Sequence, residues 1–315
     1  MKKNNKELIN KVEYLENEEA IKILKSVKNS DRIFYIIYFL LTISYILLMI
    51  HVISTMGLIL ITVLYLILSL DLALTQKRYT DRVMKETIEK TILPEAYINL
   101  NIYNAKKILC NERMYKYSLN NIAYGYILLG DFEEAEKFIK YVDSKRKDLI
   151  LQSQIIQNKM EILFLQENIK ECNKECANLE KIIKFIPGKY KKEARLNINL
   201  KRAINEKNFQ KTDELCNELE KKKKIFYKVK AAYYRGLVQE RRKENCDEYY
   251  KFVAENGNNI IIANNARKKL KITDIKNIYN KSNHIAYKIF KFIALLLVIY
   301  STIFWSMYTI YIFNK

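Results

Sequence analysis

Five cysteines, two histidines and a large stock of acidic and basic groups are the chemistry-bearing side chains of this 315-residue chain. Cys172 and Cys176 stand four apart, which on a helix puts both thiols on one face and could in principle hold a soft metal. Two further ligands would be required, and no His or Cys lies nearby in sequence. Burial of both as small apolar side chains is the favoured reading. Cys110, Cys216 and Cys246 complete an odd count at spacings that match no zinc pattern, as for reduced thiols in a cytosolic compartment. His51 and His284 both border apolar segments, so a His-based triad or a multi-His metal site has no material. There is no GxxxxGK phosphate loop and no GxGxxG turn. Acidic residues fall in EE and ELE runs on helix faces, where a solvated surface outweighs an acid/base pair. The chain therefore reads as a non-enzyme, with no catalytic residue, metal ligand or cofactor expected.

The remaining chemistry is electrostatic. The formal net charge is +20, and residues 1–32 carry only eight basic against six acidic groups. The excess lies between the apolar segments, in clusters at Lys189, Lys191 and Lys192, at Lys221 to Lys224, and at Arg241, Arg242 and Lys243. Such a surface suits anionic lipid, an acidic peptide or nucleic acid, and Lys221, Lys222, Lys223 and Lys224 are the first candidates for a lipid or anion site. Abundant Lys, Asn, Ile and Tyr are also what an AT-rich coding sequence produces, and a diffuse charge is the plainer reading. No nucleic-acid-binding motif accompanies the clusters, which disfavours RNA or DNA.

These groups must be carried by helices. Six Gly and two Pro are too few for a turn-rich β architecture, so the expected class is all-α. The clearest unit runs from Leu119 to Val142. Leu119, Ile122, Ala123 and Tyr126 make one apolar helical stripe, and Gly130 supplies a helix-ending left-handed residue. Phe132, Ala135, Ile139 and Val142 make a second stripe, with Asp131, Glu133 and Glu134 at its N-terminal end. Phe132, Ile169, Phe209 and Cys246 each open such a second stripe, at separations of 37, 40 and 37 residues. Ala135, Cys172, Thr212 and Tyr249 follow three residues on, and Ile139, Cys176, Cys216 and Val253 seven on. This spacing puts three cysteines where a repeat buries small side chains.

The unit resembles a tetratricopeptide repeat. Leu119 takes that family's Trp position, Ala123 its small position, Tyr126 its Tyr, Ala135 its Ala and Ile139 its Phe, while Lys147 stands where the family has a closing Pro. The resemblance implies four degenerate helix pairs stacked as a short α-solenoid. It also implies a concave groove lined by first helices that binds a peptide or protein, with Asn120, Asn121 and Tyr124 as candidate contacts. Contact with the neighbouring repeat is the plainer role for those three.

Three apolar segments complete the chain. Ile33 to Leu70 contains no Asp, Glu, Lys or Arg. As one helix it would reach about 57 Å, roughly twice a bilayer's hydrocarbon core, so two spans near 33–50 and 56–73 with a turn in His51–Gly57 fit better. Phe292 to Phe313 is a third uncharged run, with aromatic residues in its outer half. Arg32, Lys77, Arg78, Arg82, Lys288 and Lys291 flank the spans on one side and the hairpin carries no charge, which puts the N-terminus and central domain in the cytoplasm. The expected organisation is an amphipathic helix over 1–32, a transmembrane hairpin over 33–73, a cytoplasmic repeat domain over 74–284 and a span over 285–315. The expected protein is a multi-pass plasma-membrane adaptor for a protein or peptide, able to oligomerise through its spans. The competing class is a subunit of a membrane enzyme or transport complex, against which stand the uncharged spans.

Overall fold

The computed structural model describes residues 9–51, 55–108, 111–142 and 148–272. The segment Phe292–Phe313, the turn residues 52–54, Cys110, Lys147 and His284 lie outside the described residues. Among the described residues every regular element is an α-helix and there is no strand. In chain order the helices are α1 (Glu18–His51), α2 (Thr55–Glu89), α3 (Pro94–Lys107), α4 (Glu112–Leu129), α5 (Phe132–Val142) and α6 (Leu149–Leu165). They continue as α7 (Ile169–Ile183), α8 (Gly188–Asn205), α9 (Phe209–Glu220), α10 (Ile225–Arg241), α11 (Asp247–Asn256) and α12 (Ile261–Leu270). The described residues divide into two compact units, one over Lys25–Val83, the other over residues 9–24 and 84–272.

The first unit is the hairpin of α1 and α2. Both helices are long and apolar enough to cross a membrane, and of their most apolar windows only 6% and 0% is buried. Ile50, Met56, Leu60 and Ile36 point outward, while hydroxyls meet between the helices: Thr42 with Tyr65 at 3.1 Å and Tyr45 with Thr62 at 3.2 Å. The Tyr45 and Tyr65 rings stack at 4.4 Å. The expected helix over residues 1–32 is not continuous. Residues 12–17 are non-helical, and α1 starts at Glu18, where the Asn17 side chain accepts from Ala20 N at 3.1 Å and two glutamates occupy the first turn. The Asn99 amide holds this strap by both sides of one residue, accepting from Leu15 N at 2.7 Å and donating to Leu15 O at 3.0 Å.

The second unit stacks short helices. Consecutive helices pack in pairs, and α4, α6, α8, α10 and α12 also pack in succession, with α12 returning to α4. Ile261 of α12 lies against Gly130, and Asn258 donates to the carbonyls of Thr91 and Ile92 at 3.2 and 3.4 Å. One core runs from α3 to α6 around Leu119, Ile122, Ala135 and Phe138, and a larger one extends across α6 to α12.

The joints share one device. Gly130 is left-handed (φ 85°), its N–H bonds to Ile127 O, and Asp131 N bonds to Tyr126 O. The same pair of bonds closes α6 at Glu167 (φ 59°), α8 at Lys207 (φ 55°) and α10 at Lys243 (φ 61°). The following Asp131, Asn168 and Asn208 then cap α5, α7 and α9 by accepting from the N–H three residues on. Phe132, Ile169 and Phe209 are the first residues of their helices, as expected. In the fourth joint Cys246 is instead the residue before the helix, which slips the register by one. Tyr250, 1% exposed, is buried there while Tyr249 stays half-buried.

Candidate functional site

The polar residues of α4 are engaged by neighbours. Asn120 is 3% exposed, and its side-chain and backbone oxygens accept from Asn158 of α6 at 3.0 and 3.3 Å. Asn121 donates to Asn101 of α3 at 3.1 Å. Tyr124 is half-buried, its ring edge-on to Tyr97 at 6.4 Å, and burial raises its hydroxyl pKa well above the ordinary value, with the Glu161 charge adding to the effect.

Deeper along the same series of helices is a cluster of charges. Glu161 of α6 receives Lys201 of α8 at 2.8 Å and Lys230 of α10 at 3.4 Å. The Tyr234 hydroxyl donates to Glu161 at 3.3 Å and accepts from Lys201 at 3.0 Å. The Lys201 ammonium also sits 3.6 Å from the centre of the Phe164 ring, and the residue is only 1% exposed. Burial alone would raise the Glu161 pKa, but the Lys201 and Lys230 ammoniums outweigh it and hold the carboxyl down at about 2. Burial works to lower the Lys230 pKa, and Glu161 together with Tyr234 more than reverses that. Burial pushes the Tyr234 hydroxyl well up. All three groups move away from neutrality, whereas a proton-transfer site at pH 7 needs them drawn toward it. The cluster is a fixed ionic knot tying three helices together. Nearby, Tyr227 of α10 donates to Glu89 at 3.0 Å, and Lys222 lies 4.1 Å over the Tyr227 ring.

The basic clusters separate on inspection. Lys221, Lys222 and Lys223 are exposed at the turn between α9 and α10, with Lys224 half-buried as the residue before α10. Lys222 pairs with Glu193 at 3.0 Å and Lys192 pairs with Glu218 at 3.3 Å, so the clusters at 189–192 and 221–224 share the α8–α9 flank. A cleft of about 220 Å³ there is lined by Lys191, Lys192 and Arg195 with Leu196 and Leu215. The third cluster is partly spent, since Arg241 donates to Ile204 O and Asn205, and Arg242 pairs with Glu244 at 2.8 Å. A second cleft, about 280 Å³, has an apolar floor of Phe164, Leu165, Tyr233 and Leu237 and a rim carrying Arg241, Lys268 and Lys269.

Cys172, Cys176 and Cys216 are all 0% exposed, and burial pushes the Cys216 thiol up to about 12. Among the described residues no group of three His, Cys, Asp or Glu could hold a metal ion. No family model, no curated protein and no solved structure matches the chain.

Sequence reasoning missed the Glu161–Lys201–Lys230 knot. Its trace in the sequence is slight, Lys230 between Val229 and Ala231 and Lys201 between Leu200 and Arg202.

Proposed function

We propose that the chain is a non-enzymatic adaptor, a helical-repeat domain of tetratricopeptide type anchored in the plasma membrane and presenting its repeats to a cytoplasmic protein or peptide. The observation that carries the membrane half is the outward-facing apolar surface of α1 and α2, which no packed helix of the stack shares. The paired packing of α4 to α12 and the 37- and 40-residue spacing of its capped joints support the repeat half. The pKa directions in the ionic knot argue for a structural centre rather than a catalytic one.

With Asn120 and Asn121 engaged by Asn158 and Asn101, the partner-facing surface shifts to the cleft of α6, α10 and α12. Its apolar floor and a rim on which Arg241, Lys268 and Lys269 outnumber Glu167 suit a partner segment with an acidic residue beside an apolar one. Purification of the full chain in mild detergent, followed by mass spectrometry, is expected to bring down a partner, and Lys268→Glu with Lys269→Glu to lose it. Recovery of the chain alone under all mild conditions would contradict the adaptor reading.

The convergence of two basic clusters on the α8–α9 flank favours a second reading, contact with anionic lipid headgroups. Each basic group close to such a surface contributes about 1 kcal/mol, within a screening length of about 8 Å. Replacing Lys221 to Lys224 with Gln should then strip anionic lipid from the purified chain. Equal retention would assign the charge to composition alone.

A further inference from the structure

The fold brings a third sulfur to the Cys172–Cys176 pair. Met160, on α6, places its Sδ 3.3 Å from Cys176 Sγ, and Cys172 Sγ lies 3.6 Å from the Met160 carbonyl oxygen. Cys172 and Cys176 stand four residues apart on α7, on one face of the helix. Cys172 and Cys176 are 0% exposed and Met160 1%, so Met160 meets both cysteines where no water competes for a ligand position.

We propose that Met160, Cys172 and Cys176 form a three-sulfur site for a soft monovalent cation, Cu(I). Thiolate and thioether donors together select Cu(I) over the hard and borderline divalent ions. Metal–thiolate bonds of about 2.3 Å would set the sulfurs of a trigonal site about 4 Å apart. The 3.3 Å between Met160 Sδ and Cys176 Sγ needs only a small spreading, which the three rotatable bonds of Met160 accommodate. A zinc site does not fit, because a tetrahedral site needs a fourth ligand, and among the described residues no group of His, Cys, Asp or Glu supplies it.

The charge balance is also met. Loading exchanges two thiol protons, released to solvent, for one Cu(I), leaving the site with one net negative charge. The site lies between α6 and α7, and Met160 is the neighbour in sequence of Glu161, so an occupied site would brace the helix that carries the ionic knot. This inference does not depend on the adaptor reading.

The test uses the full chain in mild detergent, reduced and anaerobic, with Cys110→Ser, Cys216→Ala and Cys246→Ser so that only the pair remains. Cu(I) is titrated against bicinchoninate, a coloured chelator. One Cu(I) per chain should be held in competition. Cys172→Ser or Cys176→Ser should each weaken binding by about 100-fold or more, beyond the loss of an outer-shell partner. Met160→Leu keeps the apolar volume and should weaken it about tenfold with unchanged circular dichroism. X-ray absorption at the copper edge should count three sulfurs, and two in Met160→Leu. If a cysteine variant unfolds, the Met160→Leu pair of readouts still decides. Failure to hold Cu(I) against the chelator, or a two-sulfur shell in the parent chain, would overturn the proposal.

Discussion

The hairpin and the helical stack are built from much the same side chains turned opposite ways. In α1 and α2 the apolar residues face out, and Thr42, Tyr45, Thr62 and Tyr65 meet within. In the stack Leu119, Ile122, Ala135 and Ile139 face in, with Glu133 and Lys137 outside. The hydrophobic effect organises chiefly the second, because burial from water is worth about 25 cal/mol per Å² and most of the hairpin's apolar surface stays outward. Association of apolar-faced helices rests on hydroxyl contacts and close packing, as it does where the surroundings are themselves apolar. The two regions should therefore answer differently to the same kind of insult.

The largest difference is expected at Ala135, which is fully buried. Ala135→Arg overpacks the core and buries a charge, and should cost about 4 kcal/mol or more, enough to unfold the stack. Glu133→Gln on the same helix should stay within about 0.5 kcal/mol. Thermal melting of the full chain in detergent, followed by circular dichroism, compares the two, and equal melting would refute the helix-pair register.

Next is the knot. Glu161→Gln leaves Lys201 and Lys230 without their carboxylate and should cost about 3 kcal/mol. The pH dependence carries a sign. The native carboxyl titrates near 2, below the ordinary value of about 4.3. Its contribution is thus fully present above the unfolded value and is lost as pH falls from there toward 2. Urea midpoints of the parent chain should drop across that window, and Glu161→Gln should remove that part of the drop. An unchanged pH profile in the variant would sink the assignment.

In the hairpin a buried-charge insult reads out elsewhere. Leu64→Arg, on an outward face, should leave melting of the stack unaltered yet cost about 2.5–3.5 kcal/mol of membrane insertion, seen as a larger carbonate-extractable fraction. Normal insertion with a lower melting temperature would reverse the comparison.

The smallest effects lie at the joints. Gly130 and Lys207 hold the same left-handed conformation, so Lys207→Gly should stabilise by about 0.5–1 kcal/mol, relieved strain set against lost chain entropy. Gly130→Ala should destabilise, since its Cβ would also meet Ile261 at 2.7 Å. Urea midpoints moving the same way in both variants would show that the two joints are not equivalent.

The joints also show what the sequence made legible. Gly130 announced its turn, because glycine is the residue that takes a positive φ freely. Glu167, Lys207 and Lys243 carry no such mark. The readable sign was the asparagine after two of them, Asn168 and Asn208, each an N-cap for the apolar residue that opens the next helix. The second-helix stripes were legible at Phe132, Ile169 and Phe209, and slipped by one at Cys246, where no Asx capped the helix at that position. The apolar hairpin was plain from the uncharged run of Ile33 to Leu70. The site residues were the least legible. Lys201 and Glu161 are surface residue types by default, and only long-range packing of α6, α8 and α10 makes them partners. Met160 was invisible beside the cysteines because ligand spacing along a chain says nothing of a sulfur donated from the preceding helix.

Impermeant maleimide labelling on intact cells tests the anchored adaptor most directly. Ser54→Cys, between α1 and α2, and Lys189→Cys, exposed on α8, are compared before and after lysis; native Cys172, Cys176 and Cys216 are too buried to report topology. The account predicts labelling at position 54 on intact cells and at position 189 only after lysis. Labelling at 189 on intact cells, or at neither position until lysis, would contradict it.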